Sequence, residues 1–207
     1  MSPRPGASAK ERPHPTMSQP ATGTNRILLA SENPIKLEEV AAVFPGVEPA
    51  AVELTEIQST DVQVVVEHKL DQVAQLDLPA PVLVEDTGLF VESWNGLPGA
   101  LVKWFVEGMG AQRLKEAALP PGAPAGATAV SAVGIAWRGE RQVWTGRTEG
   151  RLIDARGGLG GWTPVFEVAD TGRTLGEMSF ADRMRWTMRR APLEHARAWL
   201  RDRGHHH

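Results

Sequence analysis

From Arg26 onward the chain alternates short apolar runs with longer stretches in which apolar positions recur at helical spacing. Arg26-Ile27-Leu28-Leu29-Ala30 has the length of a buried strand. Ser31-Glu32-Asn33-Pro34 follows as a turn, and a helix is expected from Ile35 to Phe44, with Ile35, Val40, Val43 and Phe44 inward and Lys36, Glu38 and Glu39 outward. Pro45-Gly46 ends it. Val52–Ile57 reads as a second strand, and Val64–Leu76 as a helix whose apolar face carries Val65, Val66, Leu70, Val73 and Leu76. Val82-Leu83-Val84 and Leu89-Phe90-Val91 are short apolar strands, Ala111–Leu119 a helix, and Thr128–Trp137 with Gln142–Leu152 a strand pair around Arg138–Arg141. Ala181–Arg203 has the periodicity of a terminal helix, with Pro192 as its candidate break. Strand–helix alternation followed by a hairpin predicts an α/β fold with a mixed sheet, in one domain over residues 26–203.

Composition changes this picture mainly at the ends. The 207 residues are 42% hydrophobic, enough for one well-buried core. Residues 1–25, rich in Pro, Ser, Gly, Thr and Ala, read as a disordered tail without the apolar core of a secretory signal. Met17 is a candidate start, and residues 204–207, with His205-His206-His207, read as a tail or tag remnant. The net charge of −3 gives no basic field for a nucleic-acid polymer, and no apolar run approaches membrane-spanning length. Cysteine is absent, which excludes disulfides and thiolate chemistry. His14, His68 and His195 lack metal-ligand spacing, Trp94, Trp137, Trp186 and Trp199 read as packing residues, and the arginines from Arg183 to Arg197 as a solvated helix face with some substrate contacts.

The candidate chemistry lies between Val82 and Phe105. Adjacent acids Glu85 and Asp86 end an apolar strand, and strand alternation sends them to opposite faces, so one of them can point into a cleft. Asn95-Gly96-Leu97-Pro98-Gly99 forms a turn, and Lys103-Trp104-Phe105 brings a cation close in sequence. Such an arrangement suits a metal-bound phosphate; the alternative is a core strand with a solvated acidic end.

The segment resembles the signature of the inosine triphosphate pyrophosphatase (Ham1-type) family: an apolar strand, [ED]-D-[ST]-G-L, a second strand, G-x-P-G and K-W-F. Glu85-Asp86-Thr87-Gly88-Leu89, Gly96-Leu97-Pro98-Gly99 and Lys103-Trp104-Phe105 match each element. Upstream, Ser31-Glu32-Asn33-Pro34-Ile35-Lys36 resembles the family's phosphate-binding turn, where a helix start offers backbone N–H groups, Asn33 an amide and Lys36 a compact charge. Trp144–Leu152 and Arg156-Gly157 resemble its hairpin strand and the R-G that follows. The resemblance, which covers Ile27 to about Leu193, implies an elongated, two-lobed α/β fold with a central mixed sheet and a cleft between the lobes. It also implies a homodimer and Mg²⁺-dependent (or Mn²⁺-dependent) hydrolysis of a nucleoside triphosphate to monophosphate and pyrophosphate, while the lack of a signal and of a membrane-spanning run makes a cytoplasmic location the expectation. Carried over, Asp86 and Glu85 are the catalytic and metal-binding acids; Asn33, Lys36, Lys103 and Arg189 meet the triphosphate; Trp162 stacks on the base; and Thr163, Arg183 and Thr187 set its identity.

The chain departs from the pattern at two places. The glutamate expected near the helix start, a metal ligand in the family, falls at Gln63 or Val64, with Asp61 and Glu67 as nearby substitutes. In the base-reading motifs, Gly160-Gly161-Trp162-Thr163-Pro164 lacks the first aromatic and the aspartate, and Met188 stands where the family has histidine. Three functions follow: hydrolysis of non-standard purine triphosphates such as ITP, dITP and XTP, a related hydrolase with a shifted nucleotide substrate, or a nucleotide-binding protein that has lost the chemistry.

Overall fold

The computed structural model describes residues 26–76 and 78–205, so the expectations for residues 1–25, Met17 among them, and for His206 and His207 lie outside the described residues. The apolar runs pair into one mixed sheet. Strand β1 (Ile27–Leu29) is wholly buried and pairs in parallel with β2 (Val47–Pro49) on one side and β3 (Val82–Val91) on the other. The C-terminal end of β3 carries the short β4 (Pro98–Gly99), while its whole length pairs antiparallel with β5 (Gly126–Trp137). The sheet continues antiparallel through β6 (Glu140–Leu152) to β7 (Phe166–Val168). The β5–β6 turn is made by Arg138 and Gly139, both at positive φ, which matches the twist of the flanking strands.

Among the described residues six α-helices cover this sheet: α1 (Pro34–Ala41), α2 (Val62–Val73), α3 (Val102–Met109), α4 (Ala111–Ala118), α5 (Phe180–Trp186) and α6 (Arg190–Asp202). Side chains that alternate along the strands supply separate cores. Ile27, Leu29, Leu83 and Ile135 pack with Val40 and Phe44 of the α1 region and with Leu193 and Leu200 of α6. Leu28, Val82 and Val84 pack against Val62, Val66, Leu70 and Val73 of α2. A third cluster, at the other end of β3, joins Leu89 and Val91 to Val102, Leu114, Phe166 and Leu175. No helix among the described residues is long and apolar enough to cross a membrane.

The structure corrects the sequence reading in several places. Val52–Ile57, expected as a strand, is irregular. The strand is Val47–Pro49 instead; the Ala50 N–H still bonds the Leu29 carbonyl at 2.8 Å, and the chain then leaves the edge. The two apolar runs expected as separate strands between Val82 and Val91 are one continuous strand. The helix expected to reach Leu76 ends at Val73, leaving Leu76 exposed. The terminal helix breaks upstream of Pro192, at Thr187-Met188-Arg189; Pro192 sits in the first turn of α6, where a missing N–H costs nothing. Helix α3 and strand β7 were not anticipated. His205 packs edge-on against Trp137, and Trp186 is exposed rather than packed.

Candidate active site

A cleft of about 700 Å³ opens between the β1–α1 turn, β3, α3, the Gly160–Thr163 loop and the α5–α6 break. Every residue expected at a site lines it except Glu85. One end is charged, with Lys36, Glu56 and Asp86. The other is largely apolar, with Leu101, Val102, Val106, Trp162, Leu175 and Met188.

Strand alternation separates the adjacent acids. Asp86 reaches the cleft, while the Glu85 side chain is fully enclosed. Glu85 accepts hydrogen bonds from Ser131 Oγ at 2.8 Å and Arg189 Nε at 2.9 Å, and its second oxygen lies 2.8 Å from Lys36 Nζ. Burial alone would raise its pKa, but Arg189 and Lys36 outweigh it and hold the carboxyl at about 2, below the usual 4.5. A carboxylate so committed has no free oxygen facing the cleft, so its geometry is that of an anchor rather than a metal ligand. For Asp86 the balance reverses. Burial raises its pKa, Glu85 and Glu56 add to the rise, and Lys36 and Lys69 only partly offset it. Asp86 is thus a largely buried carboxylate that reaches the cleft and has increased proton affinity.

The cleft holds a carboxylate that the sequence reading missed. Glu56, on the irregular segment after β2, bonds Lys69 Nζ at 2.5 Å, and the same ammonium lies 3.5 Å from Asp86 Oδ1. Burial works to raise Glu56, but the hydrogen bond and charge of Lys69 hold it below its ordinary value. Gln72 fixes this segment: its side-chain amide donates to the Thr55 carbonyl and accepts from the Thr55 N–H, both at 2.8 Å. Lys69, on the same helix as Gln72, then meets Glu56 directly. Meanwhile Gln63 pairs with Glu67 at 2.8 Å, Val64 is exposed, and Asp61 caps α2 through the Gln63 and Val64 N–H groups. None of these four lines the cleft; Glu56 supplies the carboxylate there.

At the start of α1, Asn33 Oδ1 accepts from the Ile35 and Lys36 N–H groups, and Pro34 has none to offer. The expected free backbone donors are therefore consumed by the cap, leaving the Asn33 amide, the helix dipole and Lys36 facing the cleft. Lys36 is not a loose charge either: its Nζ bonds the Glu85 carbonyl at 3.2 Å and lies 3.9 Å from Asp86 Oδ1. The glycines of the signature bring the walls together. Gly99 is at φ +60, and a Cβ there would lie 2.2 Å from the Thr60 carbonyl oxygen, which accepts from the Ala100 N–H. Only glycine fits where the Thr60 backbone crosses β4.

The α5–α6 break delivers a second buried network. Glu39 accepts from Arg183 Nε at 2.8 Å, Thr187 Oγ1 at 2.7 Å and Arg189 Nη1 at 3.0 Å, and Arg183 also bonds Glu38. Arg189 completes its set with Thr87 Oγ1 at 3.2 Å. Its charge is thus shared between Glu39 and Glu85 rather than left free. Lys103 is the reverse: it is mostly exposed, over the Trp104 ring and 4.0 Å from Glu107. Trp162 is nearly buried, edge-on to Phe166, with a strip lining the cleft. Thr163 Oγ1 donates within its own loop, to carbonyls of Leu159 and Gly160. A Cβ at Gly160 would meet nothing within 4 Å, so the loop leaves this end of the cleft open.

A cleft of this size, polar at one end and apolar at the other, has the form of a site for an anionic ligand with an apolar ring. Comparison with known proteins gives the same class. The model of the Ham1 family matches residues 27–199, and the chain belongs to that family. It is 36% identical over 169 residues to the inosine triphosphate pyrophosphatase of Saccharomyces cerevisiae, covering 75% of this chain and 85% of the yeast protein. It is 33% identical over 184 residues to the dITP/XTP pyrophosphatase of Hyperthermus butylicus, covering 86% and 96%. Among solved structures, the Ham1 protein of Staphylococcus aureus superposes with a TM-score of 0.72 at 21% identity, over 86% of this chain and 99% of that one, which shows the shared fold.

Proposed function

We propose that the chain hydrolyses non-standard purine nucleoside triphosphates, ITP, dITP or XTP, to the monophosphate and pyrophosphate. The observation that carries this reading is the placement of Asp86 between Lys36, Lys69 and Glu56 at the charged end of a cleft with an apolar far end. The names of the relatives support the substrate class. In this reading the triphosphate lies along Asn33, Lys36 and Lys103, and the base lies between Trp162, Met188 and Leu175. Asp86 accepts a proton from the attacking water as its oxygen bonds the α-phosphorus. The α–β anhydride bond breaks and pyrophosphate leaves with the bonding electrons.

Glu56 and Asp86 fit a hard dication. Both are carboxylates converging on one cation, and Mg²⁺ typically takes one or two carboxylates and completes its shell with substrate phosphates and water. Such an ion, or Mn²⁺ in its place, would neutralise phosphate charge. Glu85, committed to Arg189, Ser131 and Lys36, is left out of that set. The resemblance also suggests a homodimer, for which sedimentation at micromolar protein is the test.

A second reading, a shifted base preference, is favoured by Met188 and Gly160. The first is buried without polar edge groups, and the second leaves open space. Pyrophosphate release across standard and deaminated triphosphates, beside an Asp86→Asn control, tests both. Release confined to ITP, dITP and XTP supports the first reading, and release preferring another nucleotide supports the second. No release with Mg²⁺ or Mn²⁺ overturns both.

A further inference from the structure

Lys69 occupies an unusual position for a cation in a site that is to receive another. Its side chain is only 7% exposed, and its Nζ sits between Glu56 Oε1 and Asp86 Oδ1, which come from different parts of the chain. A dication seated where the two carboxylates converge would compete with this ammonium for Glu56 Oε1 and Asp86 Oδ1. The surrounding charges leave little field to attract one. Glu85 is matched by Arg189 and Lys36, Glu39 by Arg183 and Arg189, and Lys36 also approaches Asp86. Among the described residues, moreover, no cluster of three or more metal-ligating side chains forms a cage.

A dication entering alone would therefore draw both carboxylates away from Lys69 and sit beside a buried like charge, which is costly. A triphosphate removes the conflict, because its anionic oxygens can take the ammonium while its other oxygens complete the coordination shell. The flexible four-carbon stem of lysine permits such a change of partner without movement of α2.

We propose that Lys69 is an internal stand-in for the metal. It holds Glu56 and Asp86 together in the free protein and passes to the incoming triphosphate, so that metal and nucleotide bind as a coupled pair. This rests on the pyrophosphohydrolase reading above. By linkage, nucleotide strengthens metal binding by the same factor as metal strengthens nucleotide binding.

The test is Mn²⁺ binding, followed by electron paramagnetic resonance of the free ion, with and without inosine 5′-(α,β-methylene)triphosphate, whose α–β linkage is not cleaved. The expected wild-type result is weak binding of Mn²⁺ alone, tightened about tenfold or more by the nucleotide. Lys69→Met frees the two carboxylates. It is expected to bind Mn²⁺ alone about tenfold tighter than the wild type, to bind the nucleotide alone more weakly, and to show weaker coupling than the wild type, with only the direct contact of metal and phosphate left. Lys69→Gln, which can still donate to Glu56, should fall between them and guards against a folding defect in the methionine variant. Equal or weaker Mn²⁺ binding in folded Lys69→Met, or wild-type binding indifferent to nucleotide, would overturn the proposal. The readout needs no turnover. A wild type that releases no pyrophosphate counts against the function alone, while the Mn²⁺ comparison still decides the role of Lys69.

Discussion

At the scale of single residues, Glu85 and Asp86 show how one step along a strand divides labour between like groups. Asp86→Asn is expected to lower turnover by about 10²–10⁴-fold, the usual worth of a positioned general base, while the nucleotide still binds. In the metal-free protein Asp86 is expected to titrate above the ordinary aspartate range, because burial and the neighbouring Glu85 and Glu56 favour its protonated form, and Mg²⁺ should lower that value. Carboxyl-detected NMR titration of Asp86 with and without Mg²⁺ checks both. Glu85 makes the opposite prediction, for stability. Its folded pKa of about 2 lies below the ordinary 4.5, so its contribution is fully present above the unfolded value. That contribution, about 3 kcal/mol, is lost as pH falls toward about 2. Glu85→Gln should therefore cost about 3–5 kcal/mol near neutrality, leaving Arg189 buried with a partner removed. In urea melts from pH 7 down to pH 3, the gap between variant and wild type should narrow with acid.

Among the elements, the segment between β2 and α2 has no regular structure of its own and depends on one side chain. Gln72→Ala removes both hydrogen bonds to Thr55 and is expected to cost about 1–3 kcal/mol. It should also raise, by several-fold, the divalent-ion concentration that half-saturates activity, because Glu56 loses its register. Urea melts and a metal titration of activity read the two effects separately. The same segment shows where sequence patterns stop being informative. Val52 and Leu54 are apolar positions two apart, as on a strand, but Ile57 falls out of phase, and the chain leaves the sheet edge after Ala50. Helix α3 was legible in principle, since Val102, Phe105, Val106 and Met109 follow helical spacing, but the turn motif ahead of it drew the reading. The central strand, the hairpin and most of the cleft lining were legible because their signals are local. Glu39 and Lys69 were not. Each reads as the wet side of an amphipathic helix, and what buries them lies elsewhere in the chain, 144 residues away for Glu39 and Arg183. Glu56 was hidden for the same reason: its value depends on Lys69 and Asp86, which no spacing rule connects to it.

For the whole molecule, β3 is the common member. Its first half lies in the cores under α1, α6 and α2, its far end lies in the core with α3 and β7, and Asp86 falls between. The charged end of the cleft is built on the first set of cores, and much of the apolar end on the third. A ligand that fills the cleft therefore ties together parts of the molecule with separate cores. A ligand binding only the folded state stabilises it by about 2.7 kcal/mol at a hundredfold excess over Kd. For a domain of this size each kcal/mol is worth about 2–4 °C in Tm. Saturating inosine 5′-(α,β-methylene)triphosphate with Mg²⁺ should thus raise Tm by about 5–10 °C. The monophosphate at equal concentration should do far less, since it engages the apolar end without the oxygens that Lys36, Lys69 and Lys103 require. Inorganic tripolyphosphate, which engages only the charged end, should also fall short. Equal shifts from triphosphate and tripolyphosphate would mean that the apolar end contributes nothing to binding, and the base would then have to be sought elsewhere on the molecule.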